Sequence, residues 1–204
     1  MALNKLKFNS LNVTPTAGKT VGFNSDADGL EATFSGGAMT FISKSTASSS
    51  STISFTSGID STYKEYMFIF KDIHPSNAST RFQFNGSSDT GSNYNVTKTT
   101  SIFIAGHQES DSDATLTYQS GDDLAQSTAF QDLAAYGDSE SENDSSLAGT
   151  LHLFNPSSTT FVKHFIARTN YMAAGGDNAD YSVDSHTAGY FNTTSVIDAI
   201  QFKF

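Results

Sequence analysis

Apolar and polar residues alternate along most of the chain, as they do in half-buried β-strands. The longest instance is residues 61–75, STYKEYMFIFKDIHP. Tyr66, Phe68 and Phe70 fall on one face of such a strand. Tyr63, Met67, Ile69 and Ile73 fall on the other, with Glu65 and Lys71. One nearly continuous apolar face opposite a partly apolar one predicts a central strand of a packed sheet. The segment 159–171 has the same character. Phe161, Lys163, Phe165 and Ala167 alternate there with Val162, His164, Ile166 and Arg168, and it is predicted as the second central strand.

Shorter alternating runs predict further strands at 38–44, 51–57, 80–85, 98–106, 114–120, 147–154, 184–192 and 195–204. In these, Phe82 and Phe84 share a face, as do Ile102 and Ile104, then Leu147, Leu151 and Leu153, and then Ile200, Phe202 and Phe204. Glycine, Asn, Asp and Ser punctuate the intervals between runs, where turns need them. Residues 121–146 are the least regular. A strand is predicted over 128–136, followed by a polar acidic loop. Before residue 38, short apolar pieces anchored by Leu6, Phe8, Leu11, Val13, Val21, Phe23, Leu30 and Phe34 are each too short for a convincing strand alone. The fold class expected is all-β: an antiparallel, jelly-roll-like two-sheet β-sandwich over 38–204, with an extended N-terminal arm over 1–37.

Composition supports this reading. Ser and Thr make up about a quarter of the 204 residues, with 17 Phe, 8 Tyr and only 3 Pro, a mixture that favours strands and turns over helices. The net charge of −10 disfavours nucleic acid, whose phosphates need clustered Lys and Arg. No Lys or Arg occurs between Lys98 and Lys163. An anionic membrane surface is disfavoured on the same ground, and no apolar run is long enough for a spanning helix. With no cysteine, a disulfide framework, a thiol nucleophile and an iron–sulfur site are excluded. The first residues, MALNKLKFNSLNV, contain no apolar stretch of signal-peptide type. Folding in a reducing cytoplasm is the expectation. The Asn-x-Ser/Thr triplets at Asn77, Asn85, Asn95, Asn143 and Asn192 then read as chance in a Ser/Thr-rich chain.

Candidate chemistry is sparse. The five histidines, His74, His107, His152, His164 and His186, show no metal-ligand spacing and are read as strand or edge residues. Asp138, Glu140, Glu142 and Asp144 alternate, as do Asp111 and Asp113, and Asp177, Asn178 and Asp180 cluster after two glycines. Carboxylates on loops can ligate calcium, but none of these runs has an EF-hand register, so solvated acidic loops are the reading. Asn93, Tyr94, Tyr181 and Tyr190 are candidates to line a sugar-binding face. No catalytic, cofactor-binding or metal-binding residue is assigned, and the expectation is a protein that is not an enzyme.

Ordered segments add a resemblance. MALNKLKFNSLNVTP, STISFTSGIDSTYKEYMFIFKDIHPS, SSTTFVKHFIA and GYFNTTSVIDAIQFKF together resemble a family of small virion structural proteins of marine tailed phages, cyanophages especially. The resemblance implies a β-sandwich on the head surface or in a tail or fibre. It implies a homo-oligomer, with a trimer as the expected state, that docks on other virion proteins and resides in the virion after synthesis in the host cytoplasm. It implies no catalytic residues and no cofactor. Members of that family continue past the strand that here ends at Phe204, by a Ser/Gly turn and one further strand. The alternative function is a carbohydrate-binding sandwich that recognises host surface glycans, in a calcium-dependent manner.

Overall fold

The computed structural model describes residues 20–23, 30–34, 39–78, 80–136, 141–173 and 180–204. Contacts divide the chain into two units, Met1–Ser43 and Lys44–Phe204. In the first, β1 (Thr20–Phe23) and β2 (Leu30–Phe34) pair antiparallel. Pieces too short to stand alone thus satisfy each other's backbone groups. The rest of the expected arm lies outside the described residues.

The second unit is a two-sheet antiparallel sandwich. Its strands are β3 (Thr52–Phe55), β4 (Glu65–Ile73), β5 (Gln83–Ser87), β6 (Lys98–Gln108), β7 (Ala114–Tyr118), β8 (Gln131–Asp132), β9 (Leu147–Phe154), β10 (Lys163–Ala173), β11 (Tyr181–Phe191) and β12 (Ala199–Lys203). One sheet runs β3-β12-β5-β8 and the other β4-β9-β10-β11-β6-β7. Lettering β3 to β8 as B to G, and β11 and β12 as H and I, gives B-I-D-G in the first sheet. The second becomes C-H-E-F with the hairpin β9–β10 set between C and H. This is a jelly-roll order in which an added hairpin widens one sheet to six strands.

Strand alternation decides what is buried. On β6, Lys98, Thr100, Ile102, Ile104, Gly106 and Gln108 point inward, and the residues between them face out. On β10, Lys163, Phe165, Ala167, Thr169, Tyr171 and Ala173 do the same. Leu147, Leu151 and Leu153 of β9 are buried together, as read from the sequence. The two sheets meet through an aromatic seam. Phe202 of β12 lies 5.3 Å from Phe68 and 5.0 Å from Phe70 on β4, and Phe84 of β5 lies 4.9 Å from Phe165 on β10. Edge-to-face geometry dominates these pairs, as the ring quadrupole favours.

Several sequence expectations need correction. Residues 39–44 form no strand, and Met39 and Phe41 are 71% and 79% exposed. The 61–75 run becomes β4, but it lies at the edge of the six-stranded sheet instead of its centre. On its partly apolar second face Ile69 is 68% exposed. By contrast 159–171 is central, as β10, although Phe161 stays outside it and exposed. Ile73 also changes face. Register slips between Phe70 and Ile73, with Asp72 at φ 52°. This bulge inserts one residue and turns Ile73 back against the core. The strand expected over 128–136 shrinks to Gln131–Asp132. Leu133, Ala134 and Ala135 are buried consecutively, which no alternating strand with one open face allows. Their backbone is instead held by side chains of β10, where the Thr169 hydroxyl donates to the Leu133 carbonyl.

Tyr171 does the same for Tyr136. Its hydroxyl donates to the Tyr136 carbonyl and accepts from the Tyr136 N–H, both at 2.8 Å. Burial pushes the Tyr171 phenol far up, so it remains a donor at any ordinary pH. Tyr171→Phe is expected to cost about 1–3 kcal/mol, because two backbone groups lose their partner at once. Urea unfolding measures this, and a loss below a few tenths would show that water replaces the hydroxyl.

Candidate functional site

Two features concentrate the polar chemistry: a row of inward lysines and the outer face of the six-stranded sheet. Register places Lys98 of β6, Phe191 of β11 and Lys163 of β10 side by side. All three are fully buried. The Lys98 ammonium lies 5.9 Å from the Phe191 ring centroid, within reach of its π face. It donates to Asn85 Oδ1 at 2.9 Å, to the Val96 carbonyl at 3.4 Å and to the Ala129 carbonyl. Three donors meet three neutral acceptors, with no carboxylate among these partners. Burial lowers the Lys98 pKa to about 7. Lys163, which donates to the Thr193 carbonyl at 3.1 Å, is also pushed down by burial.

Asn85 organises this end of the sandwich. Its amide donates to the carbonyls of Tyr94 and Thr128 at 2.8 and 3.0 Å, and its oxygen also accepts the Gly86 N–H at 2.8 Å. Gly86 is required by packing, since a Cβ there would sit 2.8 Å from the Phe191 ring. The Asn85 triplet is therefore part of the core, closed to a glycan. The sequence contained a signal for the lysine row that sparse charge obscured: Lys163 alternates in phase with Phe165 and Ala167, and Lys98 with Ile102 and Ile104.

The outer face of the six-stranded sheet carries the exposed chemistry. Arg168 grips Asp184 with two contacts, Nε to Oδ1 at 2.9 Å and Nη2 to Oδ2 at 2.7 Å. Those hydrogen bonds hold the Asp184 carboxyl below its ordinary range. His186 contacts the same carboxylate at 3.3 Å and stacks on Phe103, with ring centroids 4.7 Å apart and planes 4° from parallel. His152 contacts Glu65 at 2.6 Å, and His164 lies edge-on to Tyr190 at 5.8 Å. Two shallow depressions mark the face. One lies between Arg168, Asn170, Asp184 and Thr150, over Ala148 and Gly149. The other lies between Tyr190, His164, Thr99 and Ser101, over Ala188 and Gly189.

The remaining sequence candidates are wired into turns. His74 contacts the Ser145 carbonyl at 2.9 Å, and His107 contacts Asp111 at 3.1 Å. Asp113 accepts the Tyr181 hydroxyl at 2.9 Å. Asn93 donates to Asp89 at 2.7 Å. The Tyr94 hydroxyl is buried without a hydrogen-bond partner. Of the four proposed sugar-face residues, Tyr190 is the one that lines either depression. Glu142 and Asp144 are exposed, and Asp138, Glu140, Asp177 and Asn178 lie outside the described residues. The Asp180 carbonyl accepts the Glu109 N–H at 2.8 Å. Among the described residues, no three His, Asp or Glu side chains converge as a metal site would require.

One carboxylate pair does form. Asp122 and Asp132 both bind Nη1 of Arg81, with Asp132 at 3.0 Å. Burial pushes the Asp122 carboxyl up, against the pull of Arg81. The guanidinium bridges the two acids, and neither acid lines the two depressions. The arrangement locks the segment around β8 onto the chain before β5.

No family model, curated protein or solved structure matches this chain.

Proposed function

We propose that the chain is a non-enzymatic structural protein of a tailed-phage virion, a head decoration or a tail or fibre component, acting through self-association and docking on the particle. The observation that carries this reading is the jelly-roll strand order with one sheet widened to six strands. Jelly rolls serve capsid and lectin roles, and fold alone does not choose between them. The sequence resemblance to virion proteins favours the first. The widened sheet adds a broad outer surface of the kind that assembly uses. Quantitative mass spectrometry of purified virions tests the reading and its location together. Hundreds of copies per particle place the protein on the head, and a few dozen or fewer place it in the tail or fibre. Absence from purified particles overturns it.

A second reading, a glycan-binding sandwich, draws on one observation: the Tyr190 ring beside the Thr99 and Ser101 hydroxyls at an open depression. An aromatic wall with flanking hydroxyls suits a sugar's apolar face and its polar rim. Binding on a glycan array, repeated with chelator, separates this reading from the first.

A further inference from the structure

We infer that the outer face of the six-stranded sheet is where two copies of this chain pack against each other, sheet on sheet about a two-fold axis. This deepens the structural reading above and rests on it.

The first argument is apolar exposure. Ile69, Ile166, Leu116, Tyr118 and Phe103 are 68%, 54%, 77%, 53% and 45% exposed. They stand on β4, β10, β7, β7 and β6, so they spread over one sheet from edge to edge. These side chains are interleaved with polar ones, since the row from Ile69 to Phe103 and Tyr118 passes through Thr150, Arg168 and His186, a mixed apolar and polar face of the kind that protein interfaces use. Branched aliphatic side chains at the centre and both margins suit protein burial better than sugar stacking.

The second argument is charge. The chain carries −10 overall, so two copies repel over most approaches. The outward side chains on these six strands include three acids, Glu65, Asp72 and Asp184, and two bases, Lys71 and Arg168, which leaves −1. Each already has a partner in its own chain: Arg168 with Asp184, Glu65 with His152, and Lys71 with Asp72 at the bulge. A face whose charges are internally paired can meet its own copy without like-charge opposition. A basic partner would find little net charge here to recognise.

The third argument is size. Six strands about 4.8 Å apart, from 5 to 11 residues long, span roughly 25 Å across and about 30 Å along the sheet. That is on the order of the ~800 Å² per partner that a stable complex buries. Flat sheets pair face to face at about 10 Å, and an isologous contact of this kind closes as a dimer. The unit is then a two-fold dimer and not the trimer implied by the family resemblance.

Sedimentation equilibrium of the whole chain tests the inference, with Ile166→Glu at the centre of the face, Leu116→Glu at its margin, and Ser54→Glu on the other sheet as control. The expected result is a micromolar wild-type dimer. Ile166→Glu should weaken it at least 100-fold, with the circular dichroism spectrum unchanged, and Ser54→Glu should leave it intact. Leu116→Glu, on an edge strand, answers the same question should Ile166→Glu misfold. A wild-type oligomer untouched by both face variants overturns this surface while leaving self-association standing. A trimer dissociated by Ile166→Glu overturns the two-fold geometry. A wild-type monomer at high micromolar concentration overturns both the surface and self-association. If that monomer also binds glycans in a manner lost in Ile166→Glu, the occupant of the face is a glycan.

Discussion

Phe202→Ala is expected to lower the free energy of unfolding by about 3–5 kcal/mol, the range for removing a large aromatic side chain from a packed core. Phe202 is 4% exposed and sits on β12, which is flanked on both sides within the four-stranded sheet. Its ring centroid lies 6.3, 5.3, 5.0, 5.8 and 6.4 Å from those of Phe55, Phe68, Phe70, Phe82 and Phe84. Three of these rings belong to its own side of the sandwich and two to β4 opposite. The side chain therefore couples β4, an edge strand, to the other sheet. Removal leaves a void lined by rigid rings, which relax less readily than aliphatic chains. Phe202→Leu should recover much of the loss by refilling part of the space. Guanidinium unfolding of both variants provides the measurement. A loss below about 1 kcal/mol for alanine would mean that the seam collapses freely and does not hold the sheets.

The second large effect concerns pH. Lys98 has a folded pKa lowered to about 7 by burial, against an ordinary lysine value near 10.4 in the unfolded chain. Between those values the unfolded state binds a proton that the folded state does not. Stability must then rise with pH across the window from about 7 to about 10. At about 1.36 kcal/mol per unit the gain is on the order of 4 kcal/mol. Lys163 shifts in the same direction and adds to the slope. Above about pH 10 the trend reverses, because Tyr66 and Tyr171 have raised values and hold protons that the unfolded chain has lost. Lys98→Met removes the titrating group, fills similar volume and leaves Asn85 Oδ1 its bond from the Gly86 N–H. Its stability should stay nearly flat over the same window, apart from the Lys163 contribution. Urea midpoints at successive pH values read both curves. A flat wild-type curve would mean that the three acceptors around Lys98 hold it charged in the folded state.

These two residues show how far the sequence could be read. Phe202 was legible, because alternation with Gln201 and Lys203 placed it inward. Lys98 was not, since a lysine in a strand pattern is ordinarily assigned to solvent. Only the packed structure shows that Asn85 and two backbone carbonyls wait for its ammonium. The outer face was half legible. Ile166, Arg168 and His164 group by alternation on the face opposite Phe165, yet nothing local says that they stay exposed there. The Arg81 pair with Asp122 and Asp132 was invisible, because its members are 41 and 51 residues apart in sequence. The bulge at Asp72 was missed for a related reason. An inserted residue breaks the two-residue period, and it shows only against the register of the partner strand.

The sequence by itself determined the all-β class and the inward faces of β5, β6, β9, β10 and β12. Strand alternation is a local property, set by two-residue periodicity and the cost of exposing apolar side chains. Tertiary structure alone decided strand order: that β4 is an edge, that β9–β10 widens one sheet to six strands, and that β12 enters between β3 and β5. Those choices depend on pairings between segments far apart in sequence, such as Gln201 with Ser54, 147 residues away. Any strand with one apolar face can satisfy its pattern beside several neighbours. Fitting Phe202 among five rings and Phe191 against Gly86 requires the whole core at once, and that fit selects one order.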